Sequence, residues 1–251
     1  VIPNIVHFVF GMSPDFGGRP WCYVHYLAVR AAAVVNRPCA IQLWVDYEPQ
    51  GDWWERTLAL PGVRLRRFVA PKQVFGQPLR HPAHRADVAR LDILARHGGY
   101  YCDCDCIALK PFTSLPGTPD FWMGRQGGRG LCNATMGATA GAPFLARWKE
   151  SYHTFRSTGQ DLYWDEHSVF IPGRLATAHP TEVQIYPETF FFHPLWDRIQ
   201  RVLTANDGLL ANSYSVHLWE SQTWHWLAAL TPDSLNRHSE LGQFITNVLG
   251  E

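Results

Sequence analysis

The run HRADVARLDILARHGGYYCDCDCIALKPF, His84 to Phe112, decides how the rest of the chain is read. Its first half has a helical period: Val88, Leu91 and Ala95 recur three and four apart, with Leu94 beside them, and form one apolar face. Asp87 and Arg90, three apart, occupy neighbouring positions away from that stripe. Gly98-Gly99 predicts a C-terminal cap, because glycine takes the left-handed conformation at little cost. The chain then turns into YYCDCDCIALK, which reads as a strand stopped by Pro111. Successive strand side chains point to opposite faces. Asp103 and Asp105 are therefore expected on one face, and Cys102, Cys104 and Cys106 on the other. Cysteine packs as a small hydrophobe, whereas two carboxylates buried without a partner would be very costly. A bound divalent cation is their simplest partner. Spacing alone leaves blander readings open, namely two solvated aspartates on a fraying strand end and an ordinary surface ion pair between Asp87 and Arg90.

Upstream, IPNIVHFVF (residues 2–10) is short, apolar and β-branched, and predicts a buried strand ended by GMSPDFGG. WCYVHYLAVRAAAVVN predicts a helix, AIQLWVD a second buried strand, and VRLRRF a third, more exposed one. A proline- and glycine-containing loop follows over 70–84. Strands alternating with helices predict a largely parallel α/β sheet. Downstream, the glycines of RQGGRGLCNATMGATAG predict a mobile loop, in an order unlike a P-loop. PFLARWKESYHTFRS predicts a helix, and DEHSVFIPGRL is ambiguous. SVHLWESQTW (residues 215–224) gathers His217, Trp219, Glu220, Thr223 and Trp224. The closing segment places Pro232 as a first helical residue, with Leu241, Phe244, Ile245 and Val248 on one face.

The chain has 251 residues with 22 basic and 22 acidic side chains, the size of one large α/β domain. Zero net charge argues against a general nucleic-acid partner, which needs a basic surplus to neutralise phosphates. No apolar run approaches a membrane span and the first residues lack a charged n-region. A soluble protein is expected, with peripheral association with a membrane left open. Six cysteines in a domain of this size are unusual for a disulfide framework, and the C-x-C-x-C of Cys102, Cys104 and Cys106 does not match a zinc site, so free thiols in a reducing compartment are expected, with disulfides the alternative. Most of the eleven tryptophans are expected in the core, and a few against sugar or base faces.

Together, IPNIVHFVFG, the His84–Phe112 block and VHLWESQTW resemble the DXD-containing glycosyltransferases of family 32. That family holds mannosyl-, α-1,4-galactosyl- and N-acetylglucosaminyltransferases and bacterial capsule enzymes, and the clostridial glucosylating toxins share its pattern. The resemblance covers the N-terminal half best. It implies an α/β GT-A fold, a Rossmann-like mixed central sheet flanked by helices, as a single catalytic domain over 1–251. Residues 1–112 would form the nucleotide-sugar-binding half, and 113–251 the acceptor-side half with a closing segment. It implies retaining transfer from a nucleotide-diphosphate sugar, a UDP-sugar first, to a glycan or other hydroxyl acceptor, with Mn²⁺ or Mg²⁺. By position, Asp105 would bind the metal, Asp103 the metal or ribose, and Asp87 and Arg90 the donor sugar. Phe8, Val9 and Phe10 would meet the nucleotide, with Phe10 on the base. The family usually has Trp-x-Gly there, one residue longer than Phe10-Gly11. His217 would be the third metal ligand, with Glu220 its competitor, and Trp224 would bind the nucleotide sugar.

The chemistry supports the pattern. A cation neutralises the charge of a diphosphate leaving group, and oxygen ligands with one imidazole suit Mn²⁺ or Mg²⁺ better than Zn²⁺. Arg90 can hold sugar oxygens by charge-assisted hydrogen bonds. Asp165 and Glu166, in WDEHSVF, are the carboxylates open to a nucleophile or acceptor role, with Glu166 taken as the candidate. Two other readings stand: a hydrolase using paired carboxylates, and a tryptophan-rich carbohydrate-binding module. Metal-dependent turnover of a nucleotide sugar separates the first reading from both. A cytoplasmic, bacterial location is expected, with a lumenal catalytic domain freed of its anchor as the alternative.

Overall fold

A computed structural model describes residues 1–251. In chain order its strands are β1 (Ile5–Phe10), β2 (Ala40–Val45), β3 (Val63–Arg67), β4 (Gln73–Val74), β5 (Gln77–Pro78), β6 (Gly99–Cys102), β7 (Cys106–Ala108), β8 (Phe121–Gln126), β9 (Gly130–Ala138), β10 (Gln184–Tyr186) and β11 (Ser215–His217). The α-helices are α1 (Tyr23–Ala31), α2 (Asp52–Leu58), α3 (Pro82–His97), α4 (Pro143–Glu150), α5 (Ile171–Ala178), α6 (Glu188–Phe191), α7 (Arg201–Thr204), α8 (Glu220–Leu227) and α9 (Glu240–Phe244).

Seven strands form one mixed sheet in the order β10-β8-β9-β6-β1-β2-β3. β1 pairs in parallel with β2 on one side and β6 on the other. β9 runs antiparallel to both β6 and β8. The sheet thus takes strands from before and after residue 112. Chain order reverses about β1, and in open α/β sheets the crevice at the carboxyl ends of strands beside such a switch point is where ligands bind. Alternation along β1 builds both faces of the core. Val6 and Phe8 pack with Leu43, Leu27 and Ala28 on one face. Val9 packs with Tyr101, Val88, Leu91 and Leu94 of α3 on the other.

α3 begins where its sequence allows. Nδ1 of His81 accepts the Ala83 N–H (3.2 Å) and Pro82 takes the first turn, where a missing N–H is harmless. It ends at Gly98 and Gly99, with φ of 62° and 104°. A Cβ on Gly98 would lie 2.8 Å from the Ala140 nitrogen, and one on Gly99 2.5 Å from the Ile5 oxygen. Both the left-handed backbone and the close approach of neighbouring main chain require glycine.

Three expectations are corrected. The strand through the Asp-x-Asp breaks: β6 stops at Cys102, the Cys106 N–H closes a turn on the Asp103 carbonyl (2.9 Å), and β7 leaves the main sheet to pair antiparallel with β11. The aspartates and thiols are therefore not sorted by strand alternation, and Cys102, Cys104 and Cys106 are all buried. The glycine-rich stretch is a hairpin rather than a mobile loop, with β9 buried from Leu131 to Ala138. The closing helix starts at Glu240, not Pro232. The Ser239 Oγ accepts the Gly242 N–H (3.1 Å), while Thr231 and Ser234 bond to each other in a turn. All six cysteines are free. No helix is long and apolar enough to cross a membrane.

Candidate active site

The crevice at the ends of β1 and β6 opens into a cavity of about 490 Å³. Four elements carry its polar wall: α3 supplies Asp87 and Arg90, the turn after β6 Asp103 and Asp105, β9 Asn133, and β11 His217.

Arg90, 5% exposed, is the hub of one cluster. Its guanidinium donates to the Asn133 carbonyl (2.9 Å), lies 3.1 Å from Oδ1 of Asp103 and 3.5 Å from Oδ1 of Asp87, and rides 4.5 Å above the Tyr101 ring. The Tyr101 hydroxyl donates to Asp103 (2.6 Å), and the Asn133 amide donates to Asp87 (2.7 Å). Two carboxylates share one buried cation and two neutral donors, which is how buried charge becomes tolerable. Burial pushes the Asp103 carboxyl above its ordinary range, and Arg90 offsets only part of that.

Asp105 belongs to a second cluster. Its Oδ2 accepts the Glu220 N–H (2.7 Å) and lies 3.2 Å from Nε2 of His217. The β7–β11 register causes this, because it sets His217 opposite Cys106. Burial alone would raise the Asp105 carboxyl, but His217 and the Glu220 N–H hold it below its ordinary value. Trp219 lies against His217, ring centroids 4.2 Å apart and tilted by 39°, with a left-handed φ of 58°. An aromatic residue pays strain there. The bond from Leu218 N–H to the Asp105 carbonyl (3.0 Å) and that from the Trp219 indole to the Pro194 carbonyl (3.3 Å) hold the turn. Behind it, Glu220 receives the His25 Nε2–H (2.8 Å), and His25 Nδ1 accepts the Cys22 N–H (3.0 Å).

These donors fit a divalent cation. Adjacent ligands of an octahedral ion with bonds of about 2.1 Å stand about 3 Å apart, the spacing of the Asp105 and His217 atoms. Asp105, Cys106 and His217 are the metal-competent group here. Burial pushes the Cys106 thiol well above its ordinary range, and Asp105 overrides burial to raise His217, so a cation binding here would displace a proton from the imidazole. Asp103 faces the same cavity with its oxygens already bonded to Arg90 and Tyr101.

Of the residues singled out from sequence, Val9, Phe10, Asp87, Arg90, Asp103, Asp105 and His217 line the cavity together. Phe8, Glu166 and Trp224 do not. Phe8 is fully buried two residues deeper in β1, on the same face as Phe10. Glu166 turns to Arg156 (3.0 and 2.6 Å), while its neighbour Asp165 faces the cavity and holds Arg129 (2.6 Å). Trp224 stacks against His25, and Trp219 takes the cavity position. Sequence reasoning missed Asn133, Trp164 and Trp196. An amide in a buried, mostly apolar run was the signal for Asn133, once GLCNATMGA is recognised as a strand.

Residues 66–122 match the family described as a glycosyltransferase sugar-binding region containing the DXD motif. Glucan organizing enzyme 1 of Cryptococcus neoformans var. grubii is 35% identical over 254 residues, covering 95% of this chain and 68% of that protein. An uncharacterized Arabidopsis thaliana protein is 29% identical over 162 residues, 57% of this chain and 25% of its own length. Among solved structures, the PaToxG glycosyltransferase superposes with a TM-score of 0.52 at 16% identity over 71% of this chain and 70% of its own. The apo form of GlyE from Streptococcus pneumoniae TIGR4 gives 0.52 at 13% identity over 98% and 64%. These two likenesses concern the fold. With its mixed sheet and its Asp-x-Asp turn at the switch point, the chain belongs to the DXD-containing glycosyltransferase family and is a glycosyltransferase of GT-A fold.

Proposed function

We propose that the protein moves a sugar from a nucleotide-diphosphate sugar, with a UDP-sugar as the first donor to test, to a glycan hydroxyl. Transfer is metal-dependent and retains the anomeric configuration, as in glycosyltransferase family 32. The observation that carries this is the pairing of Asp105 with His217 at 3.2 Å beside the Asp87–Arg90–Asp103 cluster in one cavity. Asp105 and His217 would hold Mn²⁺ or Mg²⁺, with Asp103 beside them, and the ion would supply Lewis-acid neutralisation of the departing diphosphate. Asp87, fixed by the Asn133 amide, and Arg90 orient the donor sugar. Phe10, at the end of β1, provides the base platform. The relative named for glucan organisation makes a glucan-type oligosaccharide the first acceptor to try, and glycan or polysaccharide assembly the expected setting.

Every carboxylate lining the cavity already has a partner. Asp87 has Asn133, Asp103 has Arg90, Asp105 has His217, Asp165 has Arg129 and Glu220 has His25. Asp87 and Asp165 each still have one oxygen without a partner, so the variants Asp87→Asn and Asp165→Asn separate a carboxylate nucleophile from same-face attack, in which no enzyme carboxylate bonds to the sugar. The test is a screen of UDP- and GDP-sugars with oligosaccharide acceptors and Mn²⁺, with product anomers read by proton NMR. An anomer matching the donor supports the proposal. An inverted product would overturn retention, and no transfer or donor hydrolysis from any nucleotide sugar would overturn the whole reading.

A further inference from the structure

A second cavity, of about 390 Å³, lies on the α3 side of the sheet and shares no residue with the catalytic one. Ile5, His7, Gln42, Trp44, Arg66, Arg96 and His97 line it, with no acidic residue among them. Its floor is neutral and saturated. Nε2–H of His7 donates to the Gly98 carbonyl (2.9 Å) and Nδ1 accepts the Trp44 indole N–H (3.2 Å). Burial lowers the His7 pKa to about 4, so the ring adds no charge. The remaining polar side chains are Gln42, Arg66, Arg96 and His97, none of them acidic. Gln42, 9% exposed, accepts the Arg66 Nε–H with its carbonyl oxygen, and its amide N–H groups have no protein partner. The other Arg66 nitrogens, the Arg96 guanidinium and the His97 ring make no hydrogen bond or ion pair within the chain. The charged groups felt by His97 are Arg96 and Arg66, with no carboxylate among them.

Each charge has a bland explanation by itself. Arginines on the edge strand β3 discourage strand pairing, and basic residues at the end of α3 suit its dipole. Neither accounts for their convergence with the Gln42 amide donor on one concave surface lacking any carboxylate. Two forked guanidiniums match the oxygens of a phosphate group. Trp44, half-buried and held by its bond to His7, adds a rigid apolar wall. We propose that this cavity binds a phosphate monoester, the phosphate between Arg66, Arg96 and the Gln42 amide and the organic body against Trp44. The ester is either a soluble sugar phosphate or a lipid headgroup.

The proposal is independent of catalysis and is tested by binding. Inorganic phosphate, glucose 6-phosphate, and phosphatidylcholine vesicles with or without phosphatidic acid are titrated into the intact protein. NMR follows the Trp44 indole N–H and the His97 imidazole, which report on this cavity alone. Saturable shifts at both, a rise in the His97 pKa when the site fills, and at least about tenfold weaker binding in the Arg66→Ala/Arg96→Ala variant are expected. Both arginine side chains are exposed, so the variant should keep the wild-type fold and melting temperature. Capture by phosphatidic acid vesicles that the variant loses identifies a headgroup, and tighter binding of glucose 6-phosphate than of inorganic phosphate identifies a soluble ester. Absence of shifts at Trp44 and His97 with every probe, or shifts of equal size in the double variant, would overturn the proposal.

Discussion

Removing Arg90 should destabilise the protein as well as impair it, and the structure says by how much. The guanidinium is almost fully buried and serves Asp103 at 3.1 Å, Asp87 at 3.5 Å and the Asn133 carbonyl at 2.9 Å. Arg90→Ala leaves two carboxylates without their cation. Breaking a buried pair from one side costs about 3–5 kcal/mol. Asp103 keeps 27% of its side-chain surface open to the cavity, which moderates the penalty toward about 3 kcal/mol. For a chain of this size that lowers the melting temperature by roughly 6–12 °C. Asp103→Asn removes the charge but leaves Arg90 paired with Asp87, so it should cost about 1–2 kcal/mol. The double variant should then recover part of the sum, with a coupling of about 1–3 kcal/mol. Urea unfolding of the four proteins in EDTA measures the cycle without contribution from metal. A loss below about 1 kcal/mol in Arg90→Ala, as for a surface pair, or a cycle additive within about 0.5 kcal/mol, would refute the reasoning.

Three further outcomes follow from other parts of the site and core. Mn²⁺ at about a hundred times its dissociation constant should stabilise the wild type by about 2.7 kcal/mol, and His217→Ala should lose most of that thermal shift; an equal shift in both would remove His217 from the metal. His7 should titrate near pH 4 by NMR because burial depresses it. Its folded pKa lies below the unfolded one, so its contribution to stability is present above about pH 6.5 and lost as pH falls toward 4, by on the order of 3 kcal/mol; titration near 6.5 would show that the ring is not sealed. Of the six thiols, exposed Cys39 should react promptly with a disulfide reagent in the native state and half-buried Cys22 slowly, while the four buried ones stay silent until unfolding; prompt reaction of all six would contradict the burial of the Cys102–Cys106 segment.

The parts of the fold legible in sequence were those set by local chemistry. The β-branched run of β1, the apolar period of α3 and the Gly98-Gly99 break each carry their own signal. The Asp103 turn carried none, because Cys104 and Cys106 continue the apolar pattern of a strand. What ends β6 is tertiary: β7 is claimed by β11, more than a hundred residues later. The glycines of β9 misled for a similar reason. A Cβ on Gly137 would lie 2.2 Å from the Trp122 indole nitrogen, so that glycine serves packing in a rigid strand. Spacing also could not choose between neighbours. The left-handed Trp219 turns its own ring, not that of Trp224, to the cavity, and the π-helical turn Glu166–Phe170 leaves Asp165, its cap, facing inward and Glu166 outward.

Donor turnover by wild type and Asp105→Asn, each stripped with EDTA and then resupplied with Mn²⁺, tests the central claim most directly. The substitution removes one charge and almost no volume, so the variant should remain folded and its fold can be checked by circular dichroism. The account predicts that the stripped wild type releases no nucleotide from its sugar donor and recovers with Mn²⁺. It predicts a loss on the order of a hundredfold or more in Asp105→Asn even with Mn²⁺ present, as for removal of a preorganised electrostatic contact. Undiminished turnover in EDTA, together with wild-type rates in Asp105→Asn, would contradict it.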